Sequence, residues 1–363
     1  MSDDVRDTLA DAFGSETDPL AQYEITFEET DADPFEPFRT DVLESRDIAP
    51  GTLELHETLW GQWCDHMERL GRHPACPNTE HVKSFARYEL EEKDNSPRTV
   101  AEKLRKLNSL YEYWQNDPVF PHPVNFNPVS LAQSTIDLSY PERKDPPRLT
   151  VDELRDQLAD IDHVRDHAII FLQLKLGLRA TELCNIRLSE LSITNSELRN
   201  HYPELGAHRL LDGRENAILI PHDRSGNKSR RSRVLPLDEE AQRILTEYLL
   251  IRPDNGVAWL FLSLNWHTQL EKQDINKFWK RYFHPEYEET KQHRSVTSHY
   301  GRHRFTTYWR VEQDLNRELL KYMRGDTPGS AKMEEMGAID EYIHTYYEDI
   351  EPVYRDRIYK LTD

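Results

Sequence analysis

The chain has 363 residues, three cysteines and a formal net charge of −20, and this length is enough for two domains. Cys64, Cys76 and Cys184 stand far apart, so they indicate neither a disulfide framework nor a zinc site and suit a reducing cytoplasm. The chain starts without a signal peptide pattern and has no apolar run long enough to span a membrane, so we expect a cytoplasmic protein. Its acidic balance excludes the common class of strongly basic nucleic-acid binders.

The acidic residues are concentrated at the start of the chain. Residues 1–50 contain 15 acidic residues and 3 arginines, so they carry −12 of the net charge. Their few apolar residues follow no regular spacing, and we predict a disordered tail with one possible short helix over residues 5–13. Excess carboxylate with scarce lysine resembles the composition of halophilic archaeal proteins, in which local charge matters more than net charge.

Residues 51–138 have the apolar spacing of a small helical domain. One helix is predicted over 52–70 and a second around residues 82–88. A third begins at Ser96-Pro97, where serine can cap and proline fits the first turn. The buried stripe predicted for this third helix is Val100, Leu104, Leu107, Leu110, Tyr111 and Trp114. Its other face carries Arg98, Arg105 and Lys106, which either face solvent or lie along a DNA backbone.

Residues 139–149 form a charged, proline-rich linker, and the second domain spans 150–363. A capping box at Thr150 opens its first helix. A buried helix is predicted over 166–178, followed at once by a helix that starts at Arg179. Backbone N–H groups at a helix start can hold an anion together with such an arginine. Glu182 either orients Arg179 and nearby backbone or forms an ordinary ion pair with it.

Two short strands, 217–221 and 233–237, flank a Gly-Asn turn signal and predict a β-hairpin. Its tip is the densest basic patch of the sequence. The patch is either a DNA contact or a solvated, flexible loop, and its members are Arg224, Lys228, Arg230 and Arg231.

The window 297–305 places His299, Arg302 and His303 at helix positions i, i+3 and i+4, which share one face. The planar guanidinium of Arg302 suits a phosphate group. A structural histidine pair beside a surface arginine is the simpler alternative. A zinc site is a weaker one, because no third ligand stands nearby.

The C-terminal part begins with a helix that ends at Arg324-Gly325. A mobile loop is predicted from Asp326 to residue 337. A Tyr-x-His sequence follows at Tyr342, and a short final helix is predicted over 354–361.

The Gly-Leu-Arg179-Ala-Thr-Glu182 box, the basic hairpin, His299-x-x-Arg302-His303 and the late Tyr-x-His occur in this order. The sequence thereby resembles the tyrosine recombinase, or phage integrase, family. The resemblance implies a mainly α fold with a small β-sheet or hairpin. A helical, SAM-like core-binding domain would occupy 51–138, and a mixed α+β catalytic domain would occupy 150–363.

The resemblance also implies a function. The protein would be a site-specific DNA recombinase that cleaves and rejoins DNA through a 3′-phosphotyrosyl link, without a metal or other cofactor. Its partners would be double-stranded DNA and three further copies in a tetramer on that DNA.

Residue roles follow from the same resemblance. Arg179 and Arg302 would clamp the phosphate, Lys228 would protonate the leaving 5′ oxygen, and His299 would assist proton transfer. The nucleophile would be Tyr342, with Tyr346 and Tyr347 as rivals, and Glu182 and His303 would support the site.

One position departs from the family pattern. Asp326 stands where the family usually has a histidine or tryptophan that donates to the phosphate, and an ionised carboxylate cannot donate. Either Arg324 replaces that donor, or the loop is displaced, or activity is weakened. An inactive DNA-binding regulator on the same scaffold therefore stays an alternative, as does a metal-dependent nuclease using His299 and His303.

Overall fold

The computed structural model describes residues 2–14, 16–46, 48, 50–139, 142, 144–229, 231–326 and 347–362. The chain divides into two compact units, Met1–Glu142 and Arg143–Asp363, and the division falls inside the predicted linker. Each unit has its own hydrophobic core. Among the described helices, none combines the length and the apolar character needed to cross a membrane.

In the described part of the first unit, all regular secondary structure is helical. Its helices are α1 (Ser2–Phe13), α2 (Glu24–Glu29), α3 (Glu36–Phe38), α4 (Pro50–Arg69), α5 (Thr79–Glu91), α6 (Pro97–Asn116) and α7 (Pro128–Thr135). A π-helical turn, Arg39–Glu44, continues α3. The Ser96 side chain accepts a hydrogen bond from the Thr99 backbone N–H, as the sequence predicted for the start of α6.

The apolar stripe predicted for α6 lies in the core of the first unit. All six residues of the apolar stripe on α6 are buried. They pack with Trp60, Trp63 and Met67 of α4 and with Phe85 of α5 in one cluster. Burial of these large side chains is the main source of stability for a unit with so many charged residues.

The prediction of disorder over residues 1–50 is wrong for residues 18–46. Phe35 and Phe38 are buried, and the Phe35 ring lies 5.3 Å from Trp60 and 5.7 Å from Trp114, measured between ring centroids. The Asp18 carboxylate accepts a hydrogen bond from Arg72 at 2.8 Å. A few apolar anchors suffice here because they enter an existing core, and an average over an acidic segment hides them.

The second unit contains nine α-helices among its described residues. They are α8 (Val151–Ala159), α9 (Val164–Leu176), α10 (Ala180–Cys184), α11 (Ser196–His201), α12 (Glu239–Ile251), α13 (Lys272–Tyr287), α14 (His299–Thr307), α15 (Arg317–Arg324) and α16 (Tyr347–Arg357). Gly177 and Gly325 end α9 and α15 in the left-handed conformation that glycine adopts without strain. The helix α9 contributes to the core of this unit along most of its length, and it is buried on nearly every side.

A three-stranded antiparallel sheet in the order β1-β2-β3 accompanies these helices. The strands are β1 (Leu191–Ser192), β2 (Ala217–Ile220) and β3 (Arg233–Pro236). Strands β2 and β3 are the predicted hairpin, with Ile218 opposite Leu235, and β1 is an addition that the sequence did not indicate. The mainly α fold with a small sheet is thus confirmed.

The final helix differs from its prediction. It spans Tyr347–Arg357 and includes Pro352, whereas the sequence placed it after that proline. Tyr347, Ile350 and Tyr354 are buried along its face, and this packing compensates for the backbone hydrogen bond that proline cannot make. From residue 327 to residue 337 the predicted mobile loop lies outside the described residues.

The folded state of the N-terminal segment can be tested by Phe35→Ala. We expect a loss of about 3 kcal/mol in the free energy of unfolding of the first unit, because the substitution leaves a cavity between two tryptophans. Native-state hydrogen exchange of the amides in residues 36–44 would report it as faster exchange. Phe13→Ala is the matched control, since Phe13 is 81% exposed. Unprotected amides in the wild-type segment would contradict the packing.

Candidate functional site

Arg179 occupies the position immediately before α10, where its side chain and backbone both meet Glu182. The Arg179 backbone N–H donates to Glu182 Oε2 at 2.9 Å, and its Nη1 donates to Oε1 at 3.0 Å. The Glu182 side chain is fully buried, whereas the Arg179 side chain keeps 23% of its surface exposed. Glu182 therefore orients the Arg179 guanidinium, whose Nη2 donates to Asp326.

The buried Glu182 carboxylate is stabilised by several donors. Arg233 Nη2 donates to Oε2 at 3.0 Å, and the Ser229 hydroxyl donates to Oε1. Burial alone would raise the pKa of Glu182, but the Arg233 guanidinium, the Ser229 hydroxyl and the Arg179 backbone lower the pKa to about 2. The carboxylate is thus charged at neutral pH and holds its donors in fixed positions.

Arg302 reaches the same region from α14. Its Nη1 donates to the Gly177 carbonyl oxygen at 2.9 Å, and its side chain is only 3% exposed. The approach of α14 to α9 depends on Gly301, because a Cβ atom there would lie 2.9 Å from the Gln173 backbone carbonyl. Burial, and then the like charge of Arg179, lowers the pKa of Arg302 to about 9.

Three guanidinium groups converge on the carboxylate of Asp326. Arg179 Nη2 lies 3.3 Å and Arg302 Nη2 lies 3.0 Å from its Oδ1. Arg324 Nε lies 2.9 Å from its Oδ2. Guanidinium groups so close together repel one another, and a shared anion offsets that repulsion. The Asp326 carboxylate thus lies at the point where the three guanidinium groups meet.

A cavity of about 530 Å³ opens beside this cluster. Its described lining contains six cationic side chains and one acidic side chain, Asp326. The cationic ones are Arg179, Lys228, Arg310, Arg317, Lys321 and Arg324. Local charge is therefore strongly positive here although the chain as a whole is acidic. Lys228 is the exposed hairpin lysine that the sequence singled out, and it lines the same cavity as Arg179.

The two histidines of the central window contact each other. The rings of His299 and His303 lie 4.7 Å apart between centroids, at nearly a right angle. Arg294 Nη2 donates to His303 Nε2 at 2.9 Å. As far as the cavity lining is described, it includes neither histidine. Among all the described residues, no group of three or more His, Cys, Asp or Glu side chains is arranged to hold a metal ion.

The predicted DNA-contacting residues of the hairpin have mixed surroundings. Arg224 forms an ion pair with Glu190 that uses both guanidinium Nη atoms, so it braces the fold. Arg231 lies over the Tyr322 ring, 4.9 Å from its centroid, and burial lowers the pKa of its guanidinium. Arg230 lies outside the described residues.

On the first unit, the predicted basic face of α6 is partly exposed. Arg98 and Arg105 are exposed, and Lys106 is half-buried. Arg105 pairs with Glu102 at 2.7 Å. Burial lowers the pKa of Lys106.

The candidate nucleophiles Tyr342 and Tyr346 lie outside the described residues. Tyr347 is described and is buried at the start of α16. Its hydroxyl donates to Glu351 Oε1 at 2.9 Å. Burial and this carboxylate raise the pKa of Tyr347, which disfavours it as a nucleophile.

Sequence reasoning did not identify two residues that support the site. Arg233 opens β3, is 1% exposed, and donates from Nε to the Met323 carbonyl oxygen at 2.7 Å. Ser229 bridges Arg233 and Glu182. An arginine at the head of an otherwise apolar strand was the available signal, because such a charge must find a buried partner.

The fold therefore brings arginines of two distant segments, Arg179 and Arg302, to one carboxylate. Residues 147–323 match the model described as Phage integrase family. The matched segment lies within the second unit, so the second unit has the sequence signature of this family.

Two relatives show the extent of the sequence likeness. The tyrosine recombinase XerA of Pyrococcus horikoshii is 25% identical over 182 residues, which cover 50% of this chain and 53% of that protein. The tyrosine recombinase XerC of Caldanaerobacter subterraneus is 29% identical over 178 residues, 47% of this chain and 41% of that protein. The chain thus spans about half the length of the curated relatives it matches.

Solved structures show the same fold. The Tn1549 transposon integrase in complex with transposon right end DNA aligns with a TM-score of 0.56 and 20% identity, covering 87% of this chain and 96% of that one. A lambda integrase dimer bound to a core site aligns with a TM-score of 0.54 and 13% identity, covering 84% and 96%.

The role of Glu182 predicts a measurable pH dependence. The pKa of Glu182 is about 2 in the folded protein against an ordinary value of 4.5. Because the folded pKa is depressed, its stabilisation is complete above pH 4.5 and is lost as pH falls from 4.5 to 2. The corresponding free energy is about 3 kcal/mol.

Glu182→Gln tests this expectation. Urea unfolding at pH 7 should show a variant less stable by about 3 kcal/mol, because the substitution leaves Arg233 without its buried counter-charge. The difference from wild type should shrink between pH 4.5 and pH 2. Glu247→Gln, an exposed glutamate on α12, should change stability little at any pH. A Glu182 effect independent of pH would contradict the assignment.

Proposed function

We propose that the protein is a tyrosine site-specific recombinase that cleaves and rejoins DNA through a 3′-phosphotyrosyl intermediate. The observation that carries this proposal is the meeting of Arg179 and Arg302 on one carboxylate, at 3.3 and 3.0 Å. These arginines are 123 positions apart in the sequence. Two guanidiniums on one anion are what a phosphodiester under attack requires, since negative charge develops on its non-bridging oxygens.

The proposed reaction begins with attack of a tyrosine oxygen on phosphorus. The tyrosine proton passes to His299, and the bond between phosphorus and the 5′ oxygen breaks. Lys228, which lines the cavity beside Arg179, protonates the departing oxygen. The new phosphotyrosyl bond conserves the energy of the broken one, so the reverse attack by a 5′ hydroxyl rejoins DNA without ATP or ligase.

Tyr342 is the proposed nucleophile because Tyr342-Ile-His344 matches the Tyr-x-His pattern of the family. The buried and hydrogen-bonded state of the Tyr347 hydroxyl supports this choice over Tyr347.

Double-stranded DNA is the proposed substrate, and a tetramer on paired sites is the proposed assembly. The Tn1549 integrase and lambda integrase structures are both complexes with DNA, and the lambda protein is a dimer in its complex. The cationic cavity supplies the local charge that such a substrate needs. The exposed Arg98 and Arg105 of α6 are proposed backbone contacts.

Covalent capture of nicked DNA tests the proposal. Repeated half-sites in the DNA that flanks the gene would be synthesised with a nick beside the cleavage point, so that the released fragment diffuses away. Wild-type protein should form a complex that survives denaturing electrophoresis. Tyr342→Phe should abolish the complex and leave DNA binding unchanged, because it removes the attacking oxygen only.

Tyr347→Phe and Tyr346→Phe are the matched variants. Both should still capture DNA, with Tyr347→Phe somewhat less stable because it loses the hydrogen bond to Glu351. Capture that persists in Tyr342→Phe and disappears in Tyr346→Phe or Tyr347→Phe would move the nucleophile. DNA binding by wild-type protein without capture on any of these substrates would favour the inactive regulator instead.

A further inference from the structure

Arg324 belongs to the same anion site as Arg179 and Arg302. It is the last residue of α15, and its guanidinium is partly buried, with 30% of the side chain exposed. Its Nε lies 2.9 Å from Asp326 Oδ2, whereas the other two arginines face Oδ1. Between them, the three guanidinium groups therefore contact both oxygens of the Asp326 carboxylate.

The backbone of Arg324 has a separate role. Its carbonyl oxygen accepts a hydrogen bond from Arg302 Nη2 at 3.0 Å. This bond fixes the end of α15 beside Arg302 regardless of the side chain at position 324. A substitution of the Arg324 side chain should therefore leave this backbone contact in place and remove only the contact between its guanidinium and the Asp326 carboxylate.

The surroundings of Asp326 are those of a bound anion. Its carboxylate contacts the guanidinium groups of Arg179, Arg302 and Arg324. In the described lining of the cavity, Asp326 is the single acidic residue among six cationic side chains. A phosphodiester could be held by the same guanidinium groups, because carboxylate and phosphate oxygens both accept charge-assisted hydrogen bonds from guanidinium. A carboxylate and a phosphate cannot share the site, since both are negatively charged.

We infer that Arg324 is a third phosphate-binding residue, and that Asp326 fills the phosphate site until the substrate displaces it. This inference rests on the proposed recombinase function. A cation at position 324 supplies the donor that Asp326 cannot be, so the departure at position 326 need not weaken the chemistry. Asp326 instead competes with the substrate phosphate for the three arginines, because any anion that binds there must displace the Asp326 carboxylate.

Inorganic phosphate, titrated into the full chain by calorimetry at low salt, is the first probe. Asp326→Asn should bind phosphate at least about tenfold more tightly than wild type. The substitution removes the internal negative charge, so the arginines that pair with Asp326 become available to the phosphate. Arg324→Gln added to Asp326→Asn should lose most of that gain. Arg324→Lys in the same background should keep part of it, because the charge stays and the planar fork is lost.

Matched controls come from α16. Arg357 lies in the last turn of its helix as Arg324 does, and it pairs with the exposed Asp356. Asp356→Asn and Arg357→Gln should leave phosphate affinity unchanged. Thermal unfolding of each variant checks that it is folded. Equal phosphate affinity in wild type and Asp326→Asn, or equal effects of Arg324→Gln and Arg357→Gln, would overturn the inference.

Covalent capture of nicked DNA separates this inference from the proposed function. Arg324→Gln should slow capture at least about tenfold, the loss expected for one charge-assisted contact to the reacting phosphate. Capture at an unchanged rate in Arg324→Gln would reject the role of Arg324 and keep the recombinase. The expected phosphate results without any capture by wild type would support the anion site and reject recombination.

Discussion

A single buried carboxylate, Glu182, ties together the segments that form the site. It accepts hydrogen bonds from the Arg179 backbone and side chain at the start of α10, and from Ser229 and Arg233 of the hairpin. Arg233 in turn donates to the Met323 carbonyl oxygen near the end of α15. An ionised carboxylate in the interior is costly unless it is fully paired. The positions of three distant segments are therefore set by the requirement that one charge be neutralised.

The distribution of charge explains how an acidic chain can have a cationic site. Part of the acidic N-terminal segment takes part in the structure of the first unit, where Asp18 and Glu24 pair with Arg72. Six cationic side chains of the second unit line one cavity. Because charges interact mainly over distances of about 10 Å in physiological salt, the field at a site depends on its neighbours and hardly on the total. Net charge is thus a poor guide to the ligand of this protein.

Clustered guanidiniums have a cost in the absence of a ligand. The lowered pKa of Arg302, which follows from burial and from the nearby Arg179, expresses that cost. The Asp326 carboxylate reduces it by supplying a counter-charge from within the chain. Gly325, in its left-handed conformation, allows the chain to turn so that this carboxylate faces back towards the end of the helix that precedes it. The residue that departs from the family pattern therefore has a physical role at the site.

Local patterns in the sequence predicted the helices α4, α5, α6, α8, α9 and α10, the caps at Ser96 and Thr150 and the β2-β3 hairpin, and the order of the motifs along the chain linked Arg179 with Arg302. Those features depend on spacing, on turn chemistry and on order along the chain. The folding of residues 18–46, the third strand and the extent of α16 through Pro352 depended on tertiary packing, because each gains its stability from distant partners. The same holds for Arg233 and Arg324. Their side chains acquire a role only when the fold brings a buried carboxylate and a shared anion within hydrogen-bonding distance, which no spacing along the chain expresses.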